Sequence, residues 1–450
     1  MVFLSRSATV FLRVLFFFDT MTTMMNGLLN DRLLALLIFF AAYLCFIVLP
    51  TRRMLVALGA GALLLLTGVV SLGAAFASIN WNVIGIFVGN LMIADVLIES
   101  RAPAYLAEVI VDRSKNTAWA ILFICLLTGA ISAFVDNVAT VLLIAPVALA
   151  LAKKLKFNPK KMMIAIAISS NLQGAATLIG DTPSMLLAMS AGMSFTDFFW
   201  YQGKPSIFFA VQLGALTSFF VLYFVFRTQR EKLELIPVET VQSWFPTVLL
   251  ITLIFTLATA SFFKAQFAHG AGLICVVAGA IALVWQTWRG KVSLFAGLRS
   301  LDYDTTFFLM GIFVLIGSLT STGWIDLFGQ SLSGMVGSNV FLGYTIIVFV
   351  SVLLSAFVDN IPYLAAMLPV VTKMSAAMQV NPTLFYFGLL LGASLGGNIT
   401  PIGASANIAA CGLLKKEGYP VRFGEFTKIG LPFTLAAVIA AYLAVWFIWR

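Results

Sequence analysis

The sequence predicts an all-α membrane protein made of two inverted repeats, each with a re-entrant helical hairpin and a discontinuous helix. Three observations carry this: an apolar composition, recurring membrane-length runs, and a stretch, Ser-Ala-Phe-Val-Asp-Asn, that occurs twice. Of 450 residues, 61% are hydrophobic and 10% charged, with a mean hydropathy of +1.03. A soluble domain of this size does not carry that balance. Apolar runs of about 20 residues, enough to cross a ~30 Å hydrocarbon layer as helix, recur from Leu33 onward. They lack the two-residue alternation of a β-barrel.

Taken in order, residues 1-32 form an N-terminal segment whose first 18 residues read as an extra span, a surface helix carrying Arg6 and Arg13, or a translation-start artefact. No clear cleavage site favours a removed signal. The first repeat, 33-232, holds spans near 33-50, 54-76 and 81-99, a hairpin over 117-152, a broken helix over 160-191 and a span at 205-226. The second, 233-450, holds spans near 246-263, 271-287 and 305-322, a hairpin over 338-372, a broken helix over 380-412 and a span at 430-449. That makes about 10-11 transmembrane helices. Each hairpin block could be one kinked span, but its limbs, about 16 residues each, fall short of a crossing. Non-helical backbone at that depth is tolerated inside protein.

The net charge of +9 does not imply nucleic acid, because the basic residues fall in short loops where they set orientation. Arg52, Arg53, the run from Lys153 to Lys161, and Lys415 to Lys428 share one side; Lys204, Lys264, Lys373 and Arg450 take the other. The hairpins then enter from opposite faces, the first from the cytoplasm, and the C-terminus lies outside a bacterial inner membrane. Cys45, Cys125, Cys275 and Cys411 lie in apolar stretches without metal-type spacing. The one histidine, His269, sits in a loop with Lys264, so no metal cluster is expected.

Sliding the chain against itself by 223 residues superposes Ser132–Asn137 on Ser355–Asn360 with six identities. The register also pairs Pro146 with Pro369, Gly174 with Gly397, Thr177 with Thr400 and Gly180 with Gly403. This is an internal duplication. Five spans separate the hairpins, so the second copy is inverted, an architecture of secondary transporters.

Each copy carries a polar hairpin tip (Asp136, Asn137 and Thr140; Asp359 and Asn360) and a Gly-rich breaker. The first breaker supplies Asn171, Thr177, Gly180, Asp181 and Thr182, and the second Asn398, Thr400, Gly403, Ser405 and Asn407. Unwound helices offer N–H groups to anions and carbonyls to cations. Asn137 and Asn360 could instead cap the hairpin limbs, and the glycines could be helix-packing positions. Asp136, Asp181 and Asp359 are the coupling candidates, since an intramembrane carboxylate is costly and retained for ion or proton handling. At the 223-residue offset Asp181 meets Ala404, so the halves are chemically unequal. Asp95 and Glu99 read as a solvated helix end.

At these residues the sequence resembles the arsenite-permease/NhaD-type branch of the ion transporter superfamily, which also holds the melanosomal P protein and citrate-type carriers. The motifs are Ser132–Asn137 with Ala139, Thr140 and Pro146, Ile-Gly-Asp-Thr-Pro at 179-183, and Leu-Gly-Gly-Asn-Ile-Thr-Pro-Ile-Gly-Ala-Ser-Ala-Asn at 395-407. The resemblance implies a homodimer working as an elevator, with no cofactor beyond bound sodium at Asn137/Gly180 and Asn360/Gly403. Sodium-dicarboxylate relatives carry Ser-Asn-Thr at the tips; here stand Asp136-Asn137-Val138 and Asp359-Asn360-Ile361. That departure favours a small inorganic ion, oxyanion or metalloid, or sodium/proton exchange, over citrate-type carboxylates.

A channel fits broken helices less well than alternating access does. An intramembrane aspartyl protease would need Gly where Leu178 stands and a second carboxylate at mid-membrane, whereas Asp304 sits at a segment boundary. No enzyme activity is expected.

Overall fold

The structure is a computed structural model that describes residues 31–49, 52–155, 157–229, 240–263, 270–290, 293–299 and 301–450. The readings of residues 1-30, Lys264 and His269 lie outside the described residues. In chain order the helices are α1 (Asp31–Val48), α2 (Arg53–Leu66), α3 (Leu72–Ser78), α4 (Trp81–Ser100), α5 (Ala102–Asp112), α6 (Thr117–Ser132), α7 (Asn137–Lys154), α8 (Lys160–Gly174), α9 (Thr182–Ala191) and α10 (Ile207–Phe226). There follow α11 (Phe245–Ala260), α12 (Ala271–Trp288), α13 (Leu294–Arg299), α14 (Tyr303–Ser321), α15 (Trp324–Val336), α16 (Val340–Ser355), α17 (Asn360–Ala377), α18 (Thr383–Gly396), α19 (Ser405–Lys416) and α20 (Phe423–Trp449). A two-stranded hairpin, Trp200–Tyr201 against Lys204–Pro205, precedes α10.

Among the described residues, eight helices are long and apolar enough to cross a membrane, and α2, α6 and α18 are apolar but shorter. The duplication extends to helix ends: α6 and α7 reappear as α16 and α17 with every boundary shifted by the same 223 residues. The span expected over 54-76 is instead two helices. Gly68, at φ +76°, turns the chain out of α2, and the Ser71 hydroxyl accepts from Ala74 N–H to start α3. Helices α5 and α15 were not read as elements, because both are short and amphipathic rather than continuously apolar.

Two compact units divide the described chain, and the division cuts across both repeats: one runs to Asn80 and includes Tyr303–Leu332, and the other holds Trp81–Asp302 and Ser333–Arg450. In the first, α2 and α14 touch so closely that a Cβ at Gly311 would lie 2.7 Å from Ala57 Cβ. Asp304 there is exposed and pairs with Arg53 at 3.7 Å, which suits a helix end and not a buried catalytic dyad.

The second unit contains both hairpins and both breakers. Its basic loops meet on one face: Lys153 at the end of α7 pairs with Glu417 at 2.8 Å, and Lys160 at the start of α8 pairs with Glu425 at 3.2 Å. Glu425 also accepts the Arg422 N–H at 2.8 Å. Helix α6 begins on this face too, Ala118 N–H donating to Gln229 O just past α10. Lys204 instead donates to Ile448 O at the far end of α20. There α16 begins, Phe341 against Trp446, and α17 gives way to Asn381, which donates to Gln202 of the strand hairpin at 3.2 Å. Each helical hairpin thus starts and finishes on one face of the unit, and the two use opposite faces. The arrangement is consistent with inverted repeats.

Candidate functional site

Helices α6 and α16 each end on serine, and a four-residue tip ends in the aspartate that caps the next limb. Asp136 Oδ2 accepts from Val138 N–H at 2.9 Å and Ala139 N–H at 3.3 Å; Asp359 Oδ1 accepts from Ile361 N–H at 3.1 Å. Asn137 and Asn360 are therefore the first helical residues and not the caps. Such a cap satisfies orphan amides and sets a negative charge against the positive helix end.

Both breakers are pinned to their tips by matching bonds. Thr177 Oγ1 donates to Ala133 O, and Thr400 Oγ1 donates to Ala356 O. Gly180 and Gly403 let the strands of backbone close: a Cβ at Gly180 would lie 2.9 Å from Ala133 O, and one at Gly403 2.9 Å from Ala356 O. Below the first breaker the Ser184 hydroxyl donates to Gly174 O at 3.4 Å; at the equivalent place Asn407 Nδ2 donates to Gly397 O at 2.9 Å. In the first copy the Asn137 side chain also packs on Gly174 and accepts from Ser132 Oγ at 2.7 Å. Thr140 is buried and donates to Val135 O.

The copies then join each other. Helix α8 packs on α19, and α9 packs on α17 and α18. At the first junction Asn171 Nδ2 donates to Asn407 Oδ1 at 3.0 Å, while Asn407 Nδ2 also serves Thr400 O at 3.0 Å. That amide is saturated. At the second junction the Asp181 carboxylate caps α9 through Ser184 N–H at 2.9 Å, with the Ser394 hydroxyl and the charge of Asp136 facing it. Asp181 Oδ2 and Ser394 Oγ are buried there without a hydrogen-bond partner, as are both amide atoms of Asn398 in the second breaker, whose turn Gly397–Ile399 packs on α20, α18 and α8. Buried polar atoms are ordinarily partnered, which sets these atoms apart from the saturated first junction. Thr182 is buried beside Asp181, Ser405 is half-buried at the start of α19, and Asn360 is half-buried at its tip.

Two residues escaped the sequence reading. Ser394 is the 223-residue counterpart of Asn171, a correspondence that would have flagged it. Asn90 on α4, 2% exposed, donates to Ile179 O inside the first breaker at 2.8 Å; an asparagine in the middle of an apolar span was its only signal.

Residues 43–392 match the family described as CitMHS, citrate transporter. A Mycobacterium tuberculosis protein described as uncharacterized transporter Rv2685 is 31% identical over 423 residues, covering 92% of this chain and 98% of its own. The mouse P protein is 26% identical over 79% of this chain and 52% of its own length. Among solved structures, the Alcanivorax borkumensis YdaH transporter shares the fold with a TM-score of 0.59 at 13% identity, covering 83% of this chain and 86% of that one. Neisseria gonorrhoeae MtrF follows at 0.50, also with 13% identity, over 85% and 82%.

Proposed function

The chain belongs to the CitMHS citrate-transporter family, and from that premise we propose that it carries a small inorganic ion, oxyanion or metalloid across the membrane, coupled to protons or sodium. The observation that carries this reading is the distribution of fixed carboxylates at the central helix starts. Of the four helix starts that follow the tips and breakers, α7, α9 and α17 are capped by Asp136, Asp181 and Asp359, and α19, behind Ala404, has no side-chain cap. Three helix ends that could have held a carboxylate substrate are already neutralised by the chain's own anions. A citrate-sized trianion would meet like charge on three sides. A proton or sodium ion would not.

Asp181 is the coupling group, because its outer oxygen is buried and unpartnered where the two copies meet. Protonation or a cation relieves that cost. Asp136 and Asp359 support it electrostatically, sodium takes the tip sites at Asn137/Gly180 and Asn360/Gly403, and an oxyanion takes the uncapped start of α19 beside Ser405. The hairpin-bearing part moves as an elevator within a homodimer, the hairpins are re-entrant, and the C-terminus lies outside. Plain sodium/proton exchange is the second reading, favoured by the same carboxylates without any anion.

The test is Asp181→Asn in proteoliposomes: sodium- or substrate-driven proton movement should fall to background while the protein stays folded, and wild-type flux would sink the assignment. A thermal-shift screen with sodium, arsenite, silicate, phosphate, sulfate and citrate separates the substrates, since a ligand stabilises the state that binds it. Stabilisation by citrate alone would overturn the charge argument.

A further inference from the structure

Helices α4 and α12 are held against each other along their backbones. A Cβ at Gly85 would lie 3.0 Å from Gly272 Cα, and one at Gly279 2.8 Å from Gly89 O. Asn82 Oδ1 accepts the Gly272 N–H at 2.6 Å. Close small-residue packing of this kind gives a stiff pair within the bilayer. The opposing face, where α9 and the following loop meet α11 and α12, is loose by contrast. It encloses a cavity of about 100 Å³ lined by Leu178, Met189, Met193, Leu257, Ser261 and Ile274.

Side-chain bonds run from α4 to the first breaker and to α9. One, Asn82 Nδ2 to Met189 Sδ at 3.2 Å, is weak because thioether sulfur is a poor acceptor. The other is Asn90 Nδ2 to Ile179 O at 2.8 Å. Ile179 lies in the unwound stretch, between Thr177, which is tied to the tip, and Asp181, which caps α9. Its carbonyl direction fixes the Gly180 peptide and so the approach of Asp181. Asn90 Oδ1 has no partner, so the residue's burial is not explained by a complete local network. The 223-residue counterpart of Asn90 is Phe313, which cannot make this bond. The device belongs to the half that carries the unpaired carboxylate.

We propose that Asn90 is a positioning residue that catches the first breaker on the stiff α4–α12 pair, setting the geometry of Asp181 in this state and releasing it when the breaker moves. The proposal rests on the coupling role given to Asp181. Other ionisable groups on the elements packed around α9 are Asp136 at the first tip, Asp359, Tyr363 and Lys373 on or capping α17, Tyr386 on α18, and Asp95 and Glu99 on α4.

The experiment uses the full-length protein in lipid nanodiscs and needs no known substrate. Hydrogen exchange is read on peptides covering 175–181 and 398–404, with 207–214 on α10 as a folding control, in wild type, Asn90→Leu and Asn90→Gln, which keeps an amide donor. Asn90→Leu should speed exchange severalfold at 175–181 only, and Asn90→Gln should restore most of the protection. Unchanged exchange, an equal rise in both breakers, or the same rise in Asn90→Gln as in Asn90→Leu would each overturn the proposal. Because none of these readouts measures flux, a failure here is distinct from a failure of the coupling assignment, which Asp181→Asn tests.

Discussion

The two breakers share a skeleton and differ in what they leave unfinished. In both, a threonine bonds to the tip carbonyl 44 residues earlier in the chain, and a glycine lets the backbones close. At the junctions between copies the likeness stops. Asn407 satisfies Asn171, Gly397 O and Thr400 O together, whereas Asp181 and Ser394 at the other junction are buried with unpartnered atoms, as is Asn398 within the second breaker. A duplicated fold can keep its framework symmetric while assigning structure to one junction and chemistry to the other. The comparison predicts that skeletal changes act alike in both halves and that junction changes do not.

The largest expected effect falls on the skeleton. Gly180→Ala and Gly403→Ala each force a Cβ against carbonyl oxygens at 2.9 Å, and overpacking of this kind costs about 1–3 kcal/mol, occasionally more. Both variants should lose thermal stability in detergent by similar amounts. A large loss in one and none in the other would break the claim of a shared skeleton.

The junctions should separate next. Asn407→Ala strands Asn171 Nδ2 and two backbone carbonyls, and orphaned buried groups cost about 1–3 kcal/mol each. Its counterpart Ser184→Ala removes one long bond, at 3.4 Å, for about 1 kcal/mol or less. Thermal unfolding of the two variants side by side measures the gap, and equal losses would mean that the amide junction is not the structural one.

How much of this was legible in the sequence follows from what sets each feature. The helices, the tips and the matching breakers were readable, because apolar length and a fixed 223-residue register encode them locally. Asp136 and Asp359 were recognised, but as coupling candidates and not as caps, and capping was considered only for the neighbouring asparagines, since cap identity depends on where the helix starts to within one residue. The division between saturated Asn407 and unpartnered Asn398 was invisible: both are asparagines in one motif, and only the packing of α8 against α19 distinguishes them. Asn90 was missed for a similar reason. Its partner is a carbonyl 89 residues away, and no periodicity reports such a contact.

Asn398→Ala should have the smallest effect on stability, and it tests the comparison most closely. A fully buried amide with neither atom bonded contributes desolvation cost without a compensating hydrogen bond. Removing it should leave the melting temperature at or slightly above that of wild type, in contrast to Asn407→Ala, which changes the same residue type nine positions on. If the unpartnered amide serves the ion path, the variant should nonetheless lose ion-coupled flux in proteoliposomes. Stable and inactive is the expected outcome. A marked loss of stability would show that Asn398 is a structural residue like Asn407, and the contrast between the saturated and the unpartnered amide would fall.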